Sequence, residues 1–295
     1  MMNQLKVALI QQSCVADPKA NLPTMVKSIE AAAQEGAQLI VLQELHNTLY
    51  FPQQEDTAYF EWAETIPGPS TKTLGKLAKR LGVVIVASLF ELRAPGLYHN
   101  TAVVLERDGT LAGRFRKMHI PDDPGFYEKY YFTPGDLGFI PIQTSVGKLG
   151  ILICWDQWFP EAARLMALAG AEMLIYPTAI GWNPTDPQDE KQRQLDAWIT
   201  IQRAHAVANG LPVLVTNRVG FESDPKHPKE GIQFWGNSFV AGVQGEILAQ
   251  TDDKQPTNLI ATVDLNRTKT IRTLWPYLRD RRIENYSGLL QRYLN

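Results

Sequence analysis

The sequence predicts an α+β protein built in layers, with two β-sheets packed face to face and helices outside. Three observations carry that expectation. Apolar strand-like runs alternate with helix-like runs early in the chain and again after residue 150, as helix crossovers require. Other strand-like runs are joined by short Gly-containing turns, as hairpins require. Several strands, such as "QLIVLQE" and "EMLIYP", are apolar almost throughout, so both of their faces need cover.

The chain opens with a strand, "LKVALIQ" (5–11). A helix follows over 20–37, with apolar residues at helical spacing and Gly36 at its end. "QLIVLQE" (38–44) is a buried strand that finishes in polar residues. "STKTLGKLAKRLG" (70–82) reads as a helix with Ser70 or Thr71 as N-cap and Gly82 as its stop. "VVIVASLFEL" (83–92) is a strand. Residues 99–117 form a hairpin around Asp108-Gly109, and residues 138–154 a second one turning near Val146, Gly147 and Lys148. A helix over about 159–170, the strand "EMLIYP" (172–177), a long helix over about 189–209 and the strand "PVLVTNR" (212–218) come next. A hairpin over 236–250 turns at Gln244-Gly245, and "NLIATVDL" (258–265) is the last strand. From Trp275 onward the chain is rich in Arg and Tyr and has no clean period.

The 295 residues are 44% hydrophobic and 20% charged, which allows a sizeable core. No repeat or low-complexity linker divides them, so one domain over 1–295 is expected. A net charge of −2 gives no excess to draw nucleic acid or a membrane surface. No stretch approaches the ~20 uninterrupted apolar residues of a membrane span. The apolar part of "MMNQLKVALIQQ" is too short for a signal sequence. Two cysteines, Cys14 and Cys154, make no disulfide framework, and a cytoplasmic protein is expected.

Common catalytic signatures are missing. There is no G-x-S-x-G, no G-x-G-x-x-G and no P-loop. His46, His99, His119, His205 and His227 are scattered, without a spacing that marks a metal site. What remains is a set of strand ends. Glu44 ends "LIVLQE", Lys117 ends "GRFRK" and Cys154 ends "GILIC". If those strands lie in neighbouring sheets, a carboxylate, an ammonium and a thiol converge at one edge, a set suited to acyl transfer. Glu44 would take the thiol proton and later activate water. Lys117 and a backbone N–H after Cys154 would stabilise a tetrahedral oxyanion. A helix N-terminus after Cys154 would lower the thiol pKa from about 8.5. Taken singly, each residue also has a plain reading: Cys154 as a small buried hydrophobe, Glu44 and Lys117 as solvated strand ends. Cys14, in the turn-like "SCVADP", reads as structural. His119, two residues past Lys117, leaves a Cys–His pair open.

Together, "LIVLQEL", "GRFRKMHIP" and "GILICWDQWFPEAAR" resemble the three motifs of the nitrilase superfamily of carbon–nitrogen hydrolases in order and interval. The resemblance runs from "KVALIQ" to "IENY". It implies a four-layer α-β-β-α sandwich and a Glu–Lys–Cys triad at Glu44, Lys117 and Cys154. It implies no cofactor and no metal, and a homo-oligomer, a dimer or larger, that pairs the sandwiches. A second glutamate after the lysine is usual in the superfamily. Glu128 in "PGFYEKYYF" holds that place and would position Lys117 or the substrate amide. The tail over about 275–295, with aromatic and leucine residues among arginines, is expected at the oligomer interface.

Within the superfamily, "KMHIPDDPGFYEKYYFTPGDLGF", "CWDQWFPEAAR" and "IYPTAIGW" are most similar to the N-carbamoylputrescine amidohydrolases. That implies a small ureido-amine substrate, split into amine, ammonia and carbon dioxide. Aromatic residues cluster in sequence around the motifs, and Tyr50, Trp155, Thr178 and Trp182 are expected to contact the substrate. No arginine follows Cys154 before Arg164, so an ammonium is expected at the far end of the substrate rather than a carboxylate. Its partner would be Asp186, Asp189 or Glu190, or else Asp122 or Asp123. Two other readings stay open. One is an amidase of the same fold acting on an ω-amide, a nitrile or an N-carbamoyl amino acid. The other is a catalytically silent binding scaffold.

Overall fold

Alternation along the first strand sets the layering. In β1 (Gln4–Gln11), Leu5, Val7 and Leu9 turn to one side, and Ala8 and Ile10 to the other, as period-2 geometry requires. The first set joins a core between two sheets, the second a core beneath helices. The structure is a computed structural model that describes residues 4–224, 226, 227 and 230–294.

β2 (Leu39–Leu42) and β3 (Val84–Ala94) repeat this division. Leu39, Val41, Val84 and Val86 face the opposite sheet, whereas Ile40, Leu42, Ile85 and Ala87 face helices. β1, β2 and β3 pair in parallel, which demands crossovers. α1 (Pro18–Gln34) and α2 (Pro69–Leu81) supply them. β4 (Leu97–Leu105) and β5 (Leu111–Arg116) extend the sheet as successive hairpins.

The second sheet is built alike. β6 (Ile142–Thr144) and β7 (Gly147–Ile151) form a hairpin, and α3 (Pro160–Leu168) carries the chain to the parallel β8 (Met173–Pro177). A short β9 (Gly181–Trp182) then leaves the sheet. α4 (Gln188–Asn209) leads to β10 (Val213–Thr216), parallel to β8. β11 (Val219–Ser223) and β12 (Gly231–Trp235) pair with β9 in a small antiparallel sheet. β13 (Phe239–Ala241) and β14 (Ile247–Gln250) complete the second sheet, and β15 (Thr257–Asp264) returns to pair with β1. The strand orders are β15-β1-β2-β3-β4-β5 and β14-β13-β10-β8-β7-β6. With α1 and α2 on one outer face and α3 and α4 on the other, this is the four-layer α-β-β-α sandwich. α5 (Asn266–Leu274) and two 3₁₀ turns, Ile283–Asn285 and Ser287–Leu290, lead to the C-terminal end.

Three local readings are corrected. The N-cap of α2 is Gly68. Thr71 reaches back from inside the helix, its Oγ1 accepting the Gly68 N–H at 2.7 Å, and the Ser70 N–H is taken by Glu64 at 2.8 Å. The β6–β7 hairpin turns at Ser145 and Val146, since Gly147 already pairs with Thr144. Cys154 does not end a strand: β7 stops at Ile151, and Cys154 opens a single 3₁₀ turn, Cys154–Trp158. The β11–β12 pair has no counterpart in the apolar pattern, because "DPKHPK" at 224–229 interrupts it.

Candidate active site

Chain segments leaving β2, β5, β7, β8 and β10 meet at one edge of the sandwich, beyond the carboxyl ends of the strands, where open α/β sheets bind ligands. Glu44 lies two residues past β2, and its N–H donates to the Thr178 carbonyl beyond β8 at 3.4 Å. Its Oε1 accepts from Lys117 Nζ at 2.8 Å and from Asn100 Nδ2 at 2.7 Å, while its buried Oε2 has no hydrogen-bond partner. Lys117 follows β5 directly. Its N–H donates to the Asn100 carbonyl at 2.9 Å, and its carbonyl accepts the Gly135 N–H at 2.8 Å. Lys117 Nζ also donates to Glu128 Oε2 at 2.7 Å, and Glu128 Oε1 accepts from the Tyr50 hydroxyl at 2.7 Å. Asn100, Glu44, Lys117, Glu128 and Tyr50 thus form one continuous row, every member fully buried.

Burial works against charge on Lys117, but the Glu128 and Glu44 carboxylates outweigh it and hold the amine protonated, above the ordinary lysine range. Burial pushes Glu128 up to about 7, with Lys117 opposing and Glu44 reinforcing the shift. Burial likewise pushes the Cys154 thiol well above its ordinary value. Glu44 adds to that shift, and Lys117 pulls against it. The expected lowering by a helix N-terminus is therefore overturned. α3 begins only at Pro160, and one 3₁₀ turn cannot offset burial beside a carboxylate. The resting thiol is neutral and needs a base.

Cys154 has φ +43°, a left-handed conformation uncommon outside glycine and of a kind that clusters at functional sites. Asp156 fixes the turn: its Oδ2 accepts the Ile153 N–H at 2.9 Å, and its own N–H donates to the Ile153 carbonyl at 3.0 Å. Asp156 Oδ1 receives the His119 N–H at 2.9 Å and meets its ring Nδ1 at 2.7 Å. The His119 ring stacks on Phe159 at 3.7 Å. His119 is thereby committed to Asp156 and Phe159, and a Cys–His pair is not formed.

Residues 6–273 match the family model described as carbon–nitrogen hydrolase. The chain belongs to the carbon–nitrogen hydrolase family. It is 45% identical over 286 residues to an N-carbamoylputrescine amidase of Solanum lycopersicum, covering 96% of this chain and 94% of the relative. It is 40% identical over 293 residues to a citrullinase of Francisella tularensis subsp. tularensis, covering 99% and 100%. A solved carbon–nitrogen hydrolase from Helicobacter pylori G27 has a TM-score of 0.96 to this chain at 53% identity, covering 99% and 100%.

In this carbon–nitrogen hydrolase a cavity of about 1320 Å³ opens over Cys154 and Glu128. Of the residues expected to touch substrate, Trp155 lines it, together with Phe126, Tyr127 and Trp158. Tyr50 stands behind Glu128, its hydroxyl occupied by that carboxylate. Thr178 and Trp182 do not line the cavity. The Thr178 hydroxyl faces Gln157 Oε1 at 3.4 Å and the Tyr176 carbonyl at 3.2 Å. The Trp182 indole donates to the Lys191 carbonyl at 2.9 Å, with its ring against Trp235. Among the acids named for an ammonium, Asp123 and Asp186 line the cavity and Asp122 does not. Asp189 and Glu190 pair with Arg193 on α4 instead. Asp224 and Glu230, beside the unread β11–β12 pair, line it too. The described lining holds Glu55, Asp123, Glu128, Asp186, Asp224 and Glu230 against Lys226 and His227, and Lys226 is itself 3.6 Å from Asp56. Sequence reading passed over Asn100, Arg218 and Glu222, all buried. The one signal for Arg218 is a charge closing the apolar run of β10.

Proposed function

We propose that the protein is a cysteine-dependent amidohydrolase that cleaves N-carbamoylputrescine to putrescine, ammonia and carbon dioxide. The acidic lining of a cavity that reaches Cys154 carries the choice of substrate, because it favours a protonated amine and disfavours a carboxylate. The Solanum relative supports the same choice. Glu44, Lys117, Cys154 and Glu128 are the proposed catalytic set. Cys154 attacks the ureido carbonyl carbon while Glu44 Oε2 takes the thiol proton. The carbonyl electron pair moves to oxygen, and the oxyanion is held by Lys117 Nζ and the Trp155 N–H. That N–H lies ahead of the first bond of the 3₁₀ turn, which Asp156 donates to Ile153. One C–N bond then breaks, the leaving nitrogen taking its proton from Glu44. Water deprotonated by the same carboxylate frees Cys154, and the released carbamate loses carbon dioxide. Glu128 holds Lys117 in line.

The reading extends to a cytoplasmic homo-oligomer, a dimer or larger, with the tail from Trp275 at its interface. Free Cys14 and Cys154 and the exposed leucines of the tail support this. The test of substrate is ammonia release from N-carbamoylputrescine beside N-carbamoyl-β-alanine, N-carbamoyl-γ-aminobutyrate and citrulline. kcat/KM on the amine should exceed that on the two carboxylates by at least ~30-fold, the effect of an unmatched buried charge. A higher kcat/KM on citrulline would give the chain the activity named for the Francisella relative.

A further inference from the structure

The two carboxylate oxygens of Glu44 are treated differently. Oε1 accepts from Lys117 Nζ at 2.8 Å and from Asn100 Nδ2 at 2.7 Å; Oε2 is equally buried and accepts from nothing. Lys117 alone does not impose that division. Its ammonium is a compact donor on a flexible stem and is shared with Glu128. Asn100 imposes it, because its own orientation is fixed. The Leu45 N–H donates to Ser88 Oγ at 3.1 Å, so the Ser88 hydroxyl hydrogen is free to donate to Asn100 Oδ1 at 3.0 Å. With Oδ1 so engaged, the amide nitrogen must face Glu44. The Asn100 carbonyl accepts the Lys117 N–H as well, so one residue of β4 sets both the carboxylate and the backbone of its cation. Ser88, Asn100, Glu44 and Lys117 are all fully buried.

We infer that Asn100 is a positioning residue for the base: keyed by Ser88 to the Leu45 peptide, it occupies Oε1 of Glu44 and reserves Oε2 for the proton that leaves Cys154. The inference rests on the reading of Glu44 as the base. The Asn100 donor meets Glu44 at the oxygen that does not take the proton, so its loss removes the bond that tells the two oxygens apart. The loss also leaves either oxygen free to rotate toward Lys117, which halves the aim of the proton transfer.

The variant Asn100→Leu keeps the branching at Cγ and removes the donor. kcat should fall ~10–100-fold, less than the ~10²–10⁴-fold of losing a general base outright because Glu44 itself remains, with KM for N-carbamoylputrescine changed less than ~3-fold. The acid limb of the kcat/KM profile should move to higher pH, because a hydrogen bond to the ionised base is lost. Ser88→Ala, which leaves the bond but not its aim, should shift the limb the same way by less. If Asn100→Leu does not fold, Asn100→Asp replaces it: two carboxylates then share one site, and the limb should move up further. The pH profile of Cys154 carboxamidomethylation, read by mass spectrometry, should move likewise without any assumption about substrate. An acid limb that stays at its wild-type position in both assays, whatever happens to kcat, would overturn the inference, and so would an effect on KM alone. Glu44→Gln separates the two levels. If it turns over normally, the reading of the base fails. If it is inactive while the Asn100 variants keep the wild-type limb, only the role of Asn100 fails.

Discussion

Arg218 donates to the peptide oxygen of Glu44 at 3.0 and 3.3 Å across 174 residues of chain. The same guanidinium donates to the Leu45 carbonyl at 2.6 Å and to Glu222 at 2.7 Å, and its centre lies 5.7 Å from the Phe234 ring. Leu45 has φ +47°, so the carbonyls of Glu44 and of a left-handed residue are held by one cation. The other Glu222 oxygen accepts the Tyr50 N–H at 2.6 Å. The pair therefore joins β11, which runs up to Asp224 of the cavity lining, to the loop that carries Glu44 and Tyr50.

Arg218→Met should destabilise the fold by ~3–5 kcal/mol, because it strands the Glu222 carboxylate in the interior. Chemical denaturation measures this. Arg218→Met with Glu222→Gln should recover part of the loss, since the second change removes the stranded charge. A single variant that unfolds at the wild-type midpoint would show that the clamp does not hold the loop.

Glu128 gives stability a distinctive pH dependence. Burial raises its pKa from an ordinary 4.5 to about 7, so the folded protein binds this proton more tightly than the unfolded chain does. The stability it contributes is whole below about 4.5 and is lost as pH rises toward 7. Lys117 is raised above its ordinary 10.5, so its own contribution stands through that window and is lost only at higher pH. Glu128→Gln keeps an acceptor for Lys117 and a donor for the Tyr50 oxygen while removing the titration. The wild-type Tm minus the variant Tm should fall between pH 5 and pH 8 at fixed salt. A difference that grows over that range would mean that Glu128 is ionised and paired at the acid end.

The motifs were legible because three strand-like runs end at residues with reactive side chains, Glu44, Lys117 and Cys154, and because their order and interval resemble those of a known superfamily. The two packed sheets were legible from alternating strand-like and helix-like runs and from strands that need cover on both faces, and the four-layer form from the family resemblance. Thr178 and Trp182 stand outside the cavity lining because closeness in sequence to a motif does not set which way a side chain turns. Thr178 turns inward to Gln157, and the Trp182 indole donates to the Lys191 carbonyl near the start of α4. Asn100 and Arg218 escaped notice because their roles depend on bonds to Glu44 made across 56 and 174 residues. The positive φ of Cys154 has no signature in the residue itself.

Chemistry at the thiol can be tested directly. Cys154→Ala should abolish turnover with the fold intact. Lys117→Ala should lower kcat by 10²–10³, about 3–4 kcal/mol, as loss of one oxyanion donor does. Limited iodoacetamide treatment should inactivate in step with carboxamidomethylation of Cys154. Cys14 accepts from Gln43 Nε2 at 3.5 Å, lies 3.6 Å from the His46 carbonyl and does not line the cavity. Peptide mapping that found activity falling with Cys14 labelling, while Cys154 stayed free, would remove Cys154 from the mechanism.

The last prediction concerns assembly. Leu274, Trp275, Ile283, Leu289 and Leu290 all stand exposed on and after α5, Leu290 at 92%. Leu165 and Leu168 of α3 and Val207 of α4 are exposed on the outer layer. Arg281 and Tyr286 of the tail lie close enough to Arg164 of α3 to act on its charge, and Arg272 feels Arg164 in turn. Burial, with a like charge nearby, lowers the pKa of both Arg164 and Arg272, and Arg164 Nη1 has no hydrogen-bond partner. A surface that pairs exposed leucines with crowded guanidinium groups is stabilised when a second copy covers the apolar part and brings carboxylates to the arginines. Light scattering at micromolar concentration should therefore report a dimer or a larger species. Ending the chain at Leu274 should lower that mass while circular dichroism keeps the folded signal. A monomer at micromolar concentration for the full chain, or an unchanged mass after truncation, would place the tail back on its own subunit.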